Sequence, residues 1–126
     1  MATHTFPKVN LIQPACALFF GNTMDIYTTV QNLLVGNSEG NPVPAHVISA
    51  YGLIGFTLWK MGIILVLISL VFLATWLTEK RRSKPEDVYF ARRYSHFGLW
   101  LSAACYVPVV TNNLIMFYVT VHGGRI

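Results

Sequence analysis

The sequence predicts an all-α integral membrane protein with three transmembrane helices and a short interfacial helix before the third. Three observations predict it. Hydrophobic residues fill 54% of the 126 positions and charged residues 11%, whereas a soluble domain carries about 25% charged residues. The stretch MGIILVLISLVFLATWLT runs from Met61 to Thr78, 18 residues without a charge, which is the length at which an apolar run reads as a spanning helix. Six of the nine basic residues, Lys80, Arg81, Arg82, Lys84, Arg92 and Arg93, collect in one segment between two apolar runs. A chain of this length makes one domain, residues 1–126.

The first helix is expected over residues 9–36. Pro14 falls in its opening turns, where a missing N–H is tolerated or bends the helix. Gly36 and Asn37 can end it, and the turn GNSEGNPVP follows at 36–44. The second helix is expected over 45–82, because the apolar pattern of Met61–Thr78 extends back to His46, interrupted by Lys60 alone. That length exceeds one bilayer crossing, so tilt or a protruding end is expected. The segment EDVYFARRYSH, 86–96, mixes aromatic and basic residues and reads as an interfacial helix. The third helix is expected over 97–121, with a kink at Pro108.

Cytoplasmic loops concentrate Lys and Arg, and the 79–93 loop therefore belongs in the cytoplasm. Lys8 and the N-terminus then lie on the same side. The 37–45 loop has no Lys or Arg and belongs outside, as does the C-terminus with Arg125. The expected location is a cell membrane crossed several times, with Trp76 and Trp100 near an interface. No charged leader followed by a short apolar core and cleavage site opens the chain, so no cleaved signal peptide is expected. The net charge of +4 is explained by the orienting loop and does not imply nucleic acid, since no groove element accompanies it. Cys16 and Cys105 are read as small buried packing residues, with no disulfide and no zinc spacing.

The first helix holds a carboxylate where a bilayer makes it costly, by about 2.5–3.5 kcal/mol on insertion scales. At about 100° per residue, Asn22, Asp25, Thr28, Thr29 and Asn32 share a stripe of roughly 120°. Such a stripe faces protein. Counting about 1.5 Å per residue from the helix ends, Asp25, Lys60 and the amides Asn112 and Asn113 reach comparable depth on the three helices. Asp25 is expected to pair with Lys60, with Asn112 or Asn113 satisfying it further. The cluster reads either as polar contacts that fix helix geometry or as a proton or ion site. Glu39, His46 and His122 fall near one surface. Histidine with carboxylate can bind zinc or copper, but their spacing matches no metal motif, and polar helix caps are the alternative. No nucleophile elbow, phosphate loop, HExxH or catalytic carboxylate pair is present, so no catalytic residue and no cofactor are expected.

These residues resemble an uncharacterised family of small three-helix membrane proteins known mainly from archaea and bacteria. The family pattern is an Asp followed by Thr in helix 1, a G-x-x-E-x-N-P turn, a Lys in helix 2 and an Asn late in helix 3. Here these are Asp25, Thr28, Glu39, Asn41, Pro42, Lys60 and Asn112 or Asn113, and the resemblance covers roughly residues 10–120. The family has no assigned activity, so the resemblance implies the fold and the cluster but no reaction. In size and helix count the chain also resembles the small accessory subunits of large membrane enzymes such as archaeal ammonia monooxygenase. The function expected is therefore that of a non-catalytic subunit whose partners are other integral-membrane subunits and lipid. The alternative is an autonomous membrane protein with an ion or proton site at Asp25 and Lys60.

Overall fold

A 23-residue helix α1, Ile12–Leu34, forms the spine of the chain, and at about 1.5 Å per residue it is roughly 35 Å long. The computed structural model describes residues 6–81 and 84–123; Arg82 and Arg125, which entered the charge reading, lie outside them. Three further helices follow: α2 (Pro42–Lys80), α3 (Pro85–Ala104) and α4 (Tyr106–His122). No strand occurs among the described residues. α1 touches each of the other three helices.

The ends of α1 are written locally. Asn10 Oδ1 accepts the Ile12 N–H at 2.9 Å, satisfying one of the orphan donors of the first turn. Pro14 sits in that turn, where its absent N–H costs nothing. At the other end Gly36 adopts φ 92°. Its N–H reaches Leu33 O at 3.1 Å and the Asn37 N–H reaches Asn32 O at 2.9 Å. This paired closure of a helix needs a residue in the left-handed region, which glycine enters without a Cβ penalty.

α2 is two helical pieces. Gly52 has φ 72° and ψ −174°, a conformation essentially confined to glycine. The continuous second helix expected from the apolar pattern is thus broken ten residues in, and the piece that follows is closer to one bilayer crossing. Apolar periodicity does not register such a break, because a single glycine leaves the pattern on both sides intact. Asn41 caps the start, accepting the Val43 N–H at 3.1 Å, with Pro42 and Pro44 in the first turn where they are tolerated.

The segment 86–96, expected as a separate interfacial helix, is the first half of α3. Pro85 opens α3, and Glu86 and Asp87 lie in its first turn, where carboxylates suit the helix dipole. The break between α3 and α4 falls at Cys105, three residues before Pro108. A proline ring clashes with the carbonyl four residues earlier, here Ala104, and cannot donate to it. The interruption of the helix therefore lies on the N-terminal side of the proline at which the kink is expected.

One end of the bundle has an apolar core. Leu11, Ala15 and Leu18 of the α1 side meet Ile64 of α2 and Leu99 and Ala103 of α3. Beyond it, at the basic end, the Arg92 Nε–H donates to Glu79 Oε1 at 2.6 Å and its Nη1–H to Val9 O at 3.2 Å, tying α3 to α2 and to the chain before α1. Lys80 Nζ lies 4.7 Å from the Trp76 ring centroid, a cation–π distance.

The remaining surface is conspicuously apolar. The accessible area is 9078 Å² for 14.1 kDa, whereas a soluble monomer of this mass exposes about 6,700 Å². α4 contains no buried residue, and Phe72, Trp76, Trp100 and Ile115 are all exposed. The rods Pro42–Lys80 and Pro85–His122 are long and apolar enough to cross a membrane. Cys16 and Cys105 are exposed, a correction to their expected burial. An apolar stretch of a membrane-type sequence can face outward from the bundle, so local hydrophobicity does not imply a place in the core.

Candidate functional site

The other half of α1 carries its polar stripe into the bundle. Asn22, Asp25, Thr28, Thr29 and Asn32 are all buried, Asp25 to 3% exposure. Lys60 approaches from α2 and donates from Nζ to Asp25 Oδ2. Asn113 approaches from α4. Its Nδ2 lies 3.3 Å from Asp25 Oδ1, 3.1 Å from Thr28 Oγ1 and 3.3 Å from Thr29 Oγ1. The Thr29 hydroxyl donates to Asp25 Oδ1 at 3.4 Å. Both carboxylate oxygens are thus served from two neighbouring helices and from the turn above. A buried carboxylate without such partners would be costly.

The network continues on both sides of Asp25. Toward the apolar core, the Tyr106 hydroxyl donates to Asn22 Oδ1 at 3.2 Å, and the Lys60 ammonium lies 5.7 Å from the Phe56 ring and 6.0 Å from the Tyr106 ring. Toward the 36–41 turn, Asn32 Nδ2 donates to Asn113 O at 2.7 Å. Asn37 Nδ2 donates to Asn32 Oδ1 at 2.7 Å, and Asn37 Oδ1 accepts from the Thr120 hydroxyl at 2.9 Å. No buried side-chain nitrogen or oxygen lacks a partner among the described residues.

Local chemistry explains how these side chains converge. Gly21 lets Tyr106 lie directly on α1, since a Cβ there would come within 3.1 Å of Tyr106 Cβ. The break at Gly52 lets the second piece of α2 take its own path, and Lys60 stands eight residues into it, about 12 Å at the helical rise. That is close to the roughly 14 Å that separate Asp25 from the end of α1.

Of the sequence-derived residues, Asn22, Asp25, Thr28, Thr29, Asn32, Lys60 and Asn113 lie in this network. Asn112 is exposed on the neighbouring face of α4 and makes no hydrogen bond with its side chain among the described residues. Sequence reasoning did not find Tyr106, Asn37 or Thr120. The signal for two of them was available: Tyr106, Asn113 and Thr120 recur every seven residues, which places them on one helix stripe.

Glu39, Asn41 and Pro42 form the turn before α2. Glu39 Oε1 accepts the Asn41 N–H at 3.0 Å, which explains the acid two residues before the asparagine cap. His46 lies exposed in the first piece of α2, and His122 Nδ1 contacts Tyr118 O at 3.1 Å within its own helix. Among the described residues no three His, Cys, Asp or Glu side chains converge as metal ligands. Glu39 and His122 are engaged with their own segments instead, and His46 is exposed.

A cavity of about 610 Å³ opens between the 36–41 turn, α1, α2 and α4. Its wall includes Asp25, Thr29, Asn32, Lys60, Asn112 and Asn113, with Glu39 and Asn41 at the turn. The ion pair therefore borders the cavity, and the apolar core packs on its far side.

The chain belongs to the family described as Domain of unknown function (DUF5658), whose model matches residues 16–119. Every residue of the polar network from Asn22 to Asn113 falls within the match. No curated protein and no solved structure matches the chain.

Proposed function

We propose, on the premise of membership in this uncharacterised family, that the protein is a three-span integral membrane protein and serves as a non-catalytic subunit of a larger membrane assembly. The observation that carries the reading is the uncovered apolar surface: α4 buries no residue, and α2 buries four of its 39. Such faces require lipid or apolar partners, because contiguous apolar patches beyond a few hundred Å² are rare on soluble monomers. α1 provides the third span, its polar stripe turned inward as a bilayer demands. The basic end, with Lys80, Arg81, Lys84, Arg92 and Arg93, lies in the cytoplasm together with the N-terminus, and the 36–41 turn and C-terminus lie outside.

In this reading Asp25, Lys60 and Asn113 fix the mutual positions of α1, α2 and α4. Hydrogen bonds between membrane helices average only about 0.6 kcal/mol, so the cluster specifies geometry more than it stabilises. Native mass spectrometry after mild detergent extraction tests the proposal. A stoichiometric complex with other membrane subunits is expected. Membrane monooxygenases of the archaeal ammonia-oxidising type, whose small accessory subunits the chain resembles in size and helix count, are the first assemblies to examine. A monomer or homo-oligomer as the sole species would overturn the subunit reading.

The second reading is an autonomous protein with an ion or proton site at Asp25 and Lys60. The cavity beside the pair favours it. Loss of a pH-dependent activity in Asp25→Asn, with the fold retained, would support that reading over the first.

A further inference from the structure

Lys60 has three N–H donors, and among the described residues only Asp25 Oδ2 accepts one. Two donors therefore have no oxygen acceptor, and the side chain, 19% exposed, forms part of the cavity wall. The same cavity is lined by Asn112, exposed and without an intramolecular side-chain hydrogen bond among the described residues. The cavity wall thus offers donors that the described residues do not use. On the far side, one helical turn beyond Lys60, Ile64 joins the apolar core with Leu18 and Leu99. The cavity is a vestibule bordered by the 36–41 turn, with the exposed Pro108, Asn112 and Met116 of α4 along another side.

Charge decides what such a vestibule can hold. Asp25 and Lys60 cancel each other, and the pair is sheltered by the Phe56 and Tyr106 rings. A bound anion would leave one uncompensated negative charge beside the Asp25 carboxylate, and Glu39 at the mouth adds repulsion. A bound cation would balance Glu39 at the mouth, but it would stand beside the Lys60 ammonium and could accept from none of the unused donors. Each pays desolvation that the neutral pair does not repay. A solute of zero net charge avoids that cost and still answers the unused donors, provided it presents oxygen.

We propose that the vestibule is a binding site for a small uncharged solute bearing a carbonyl or amide oxygen, which accepts from Lys60 Nζ and from the Asn112 amide. The proposal rests on the membrane-spanning reading, because the low dielectric around the bundle is what penalises a charged ligand. It goes beyond that reading in assigning a ligand class.

The test uses the full-length protein in lipid nanodiscs and three probes of similar size: acetamide, acetate and ethylammonium. Saturation-transfer NMR reads binding of weak ligands directly. Acetamide is expected to saturate, roughly ten-fold more tightly than either ion, and Asn112→Leu is expected to weaken it several-fold without changing the melting temperature. Lys60→Met should abolish it, and the Asn112 variant keeps the test decisive if the lysine variant fails to fold. Absence of saturable acetamide binding, tighter binding of acetate or ethylammonium, or an unchanged affinity in Asn112→Leu would each overturn the proposal. Failure of the membrane reading has a separate signature: the protein would stay soluble and monodisperse without detergent or lipid.

Discussion

Removing one member of the Asp25–Lys60 pair should be far worse than removing both, and the two single changes should differ. In Lys60→Leu the Asp25 carboxylate stays behind at 4% side-chain exposure. Asn113 and Thr29 still donate to its Oδ1, but Oδ2 loses its donor. Breaking a buried ion pair in this way costs about 3–5 kcal/mol. In Asp25→Leu the ammonium stays behind, but it is 19% exposed and borders the cavity. Water can reach it there, so the cost falls to roughly 1–3 kcal/mol, the range for a lost charged hydrogen bond. Asp25→Asn should be milder again, because an amide oxygen still accepts from Asn113 and Thr29. The double variant replaces two charges by apolar groups, which is often near neutral. The two single losses then sum to about 4–8 kcal/mol against a near-neutral double variant, so a coupling energy of about 4–8 kcal/mol between the two sites is expected. The assay is helix loss during titration of the detergent-solubilised protein with a denaturing detergent, for both single variants and the double one. Losses that add within about 0.5 kcal/mol would mean that the residues do not interact, and equal single-variant losses would refute the argument from exposure.

Other outcomes follow from the same geometry. Asn113→Ala should destabilise the protein by about 1–3 kcal/mol, because it withdraws a donor from Asp25, whereas Asn112→Ala should stay within about 0.5 kcal/mol as an exposed change; the same unfolding titration compares them. Gly52→Ala forces a Cβ into the glycine region and should cost about 1–3 kcal/mol, or else straighten α2 and shift Lys60, which spin-label distances from α1 to residue 60 would register. In intact cells, a cysteine at Ser38 should react with an impermeant maleimide and one at Ser83 should not, with Cys16 and Cys105 replaced by serine; the opposite pattern would invert the proposed orientation. Gly21→Leu should push Tyr106 off α1 and lower the melting temperature, whereas Gly62→Ala, with open space around it, should not.

How much was legible in the chain itself divides along physical lines. The helical class follows from long apolar runs, and the inward stripe of α1 follows from the 100° turn per residue that places Asn22, Asp25, Thr28, Thr29 and Asn32 together. The ends of α1 and α2 were also local matters, written by Gly36, Asn41 and Pro42, whose conformational needs act within a few residues. Tertiary structure decided what periodicity cannot carry. Which amide of the Asn112–Asn113 pair meets Asp25 depends on how α4 is rotated about its axis, and that rotation is set by Tyr106 resting on Gly21 and by the break at Cys105. Gly52 looks like any other glycine in an apolar run; its positive φ belongs to the change of path between the 42–51 piece and the helix carrying Lys60. The exposure of Cys16 and Cys105 has the same origin. In a sequence whose inward and outward faces are equally apolar, hydrophobicity stops distinguishing core from surface, and the packing of one helix against another makes the distinction instead.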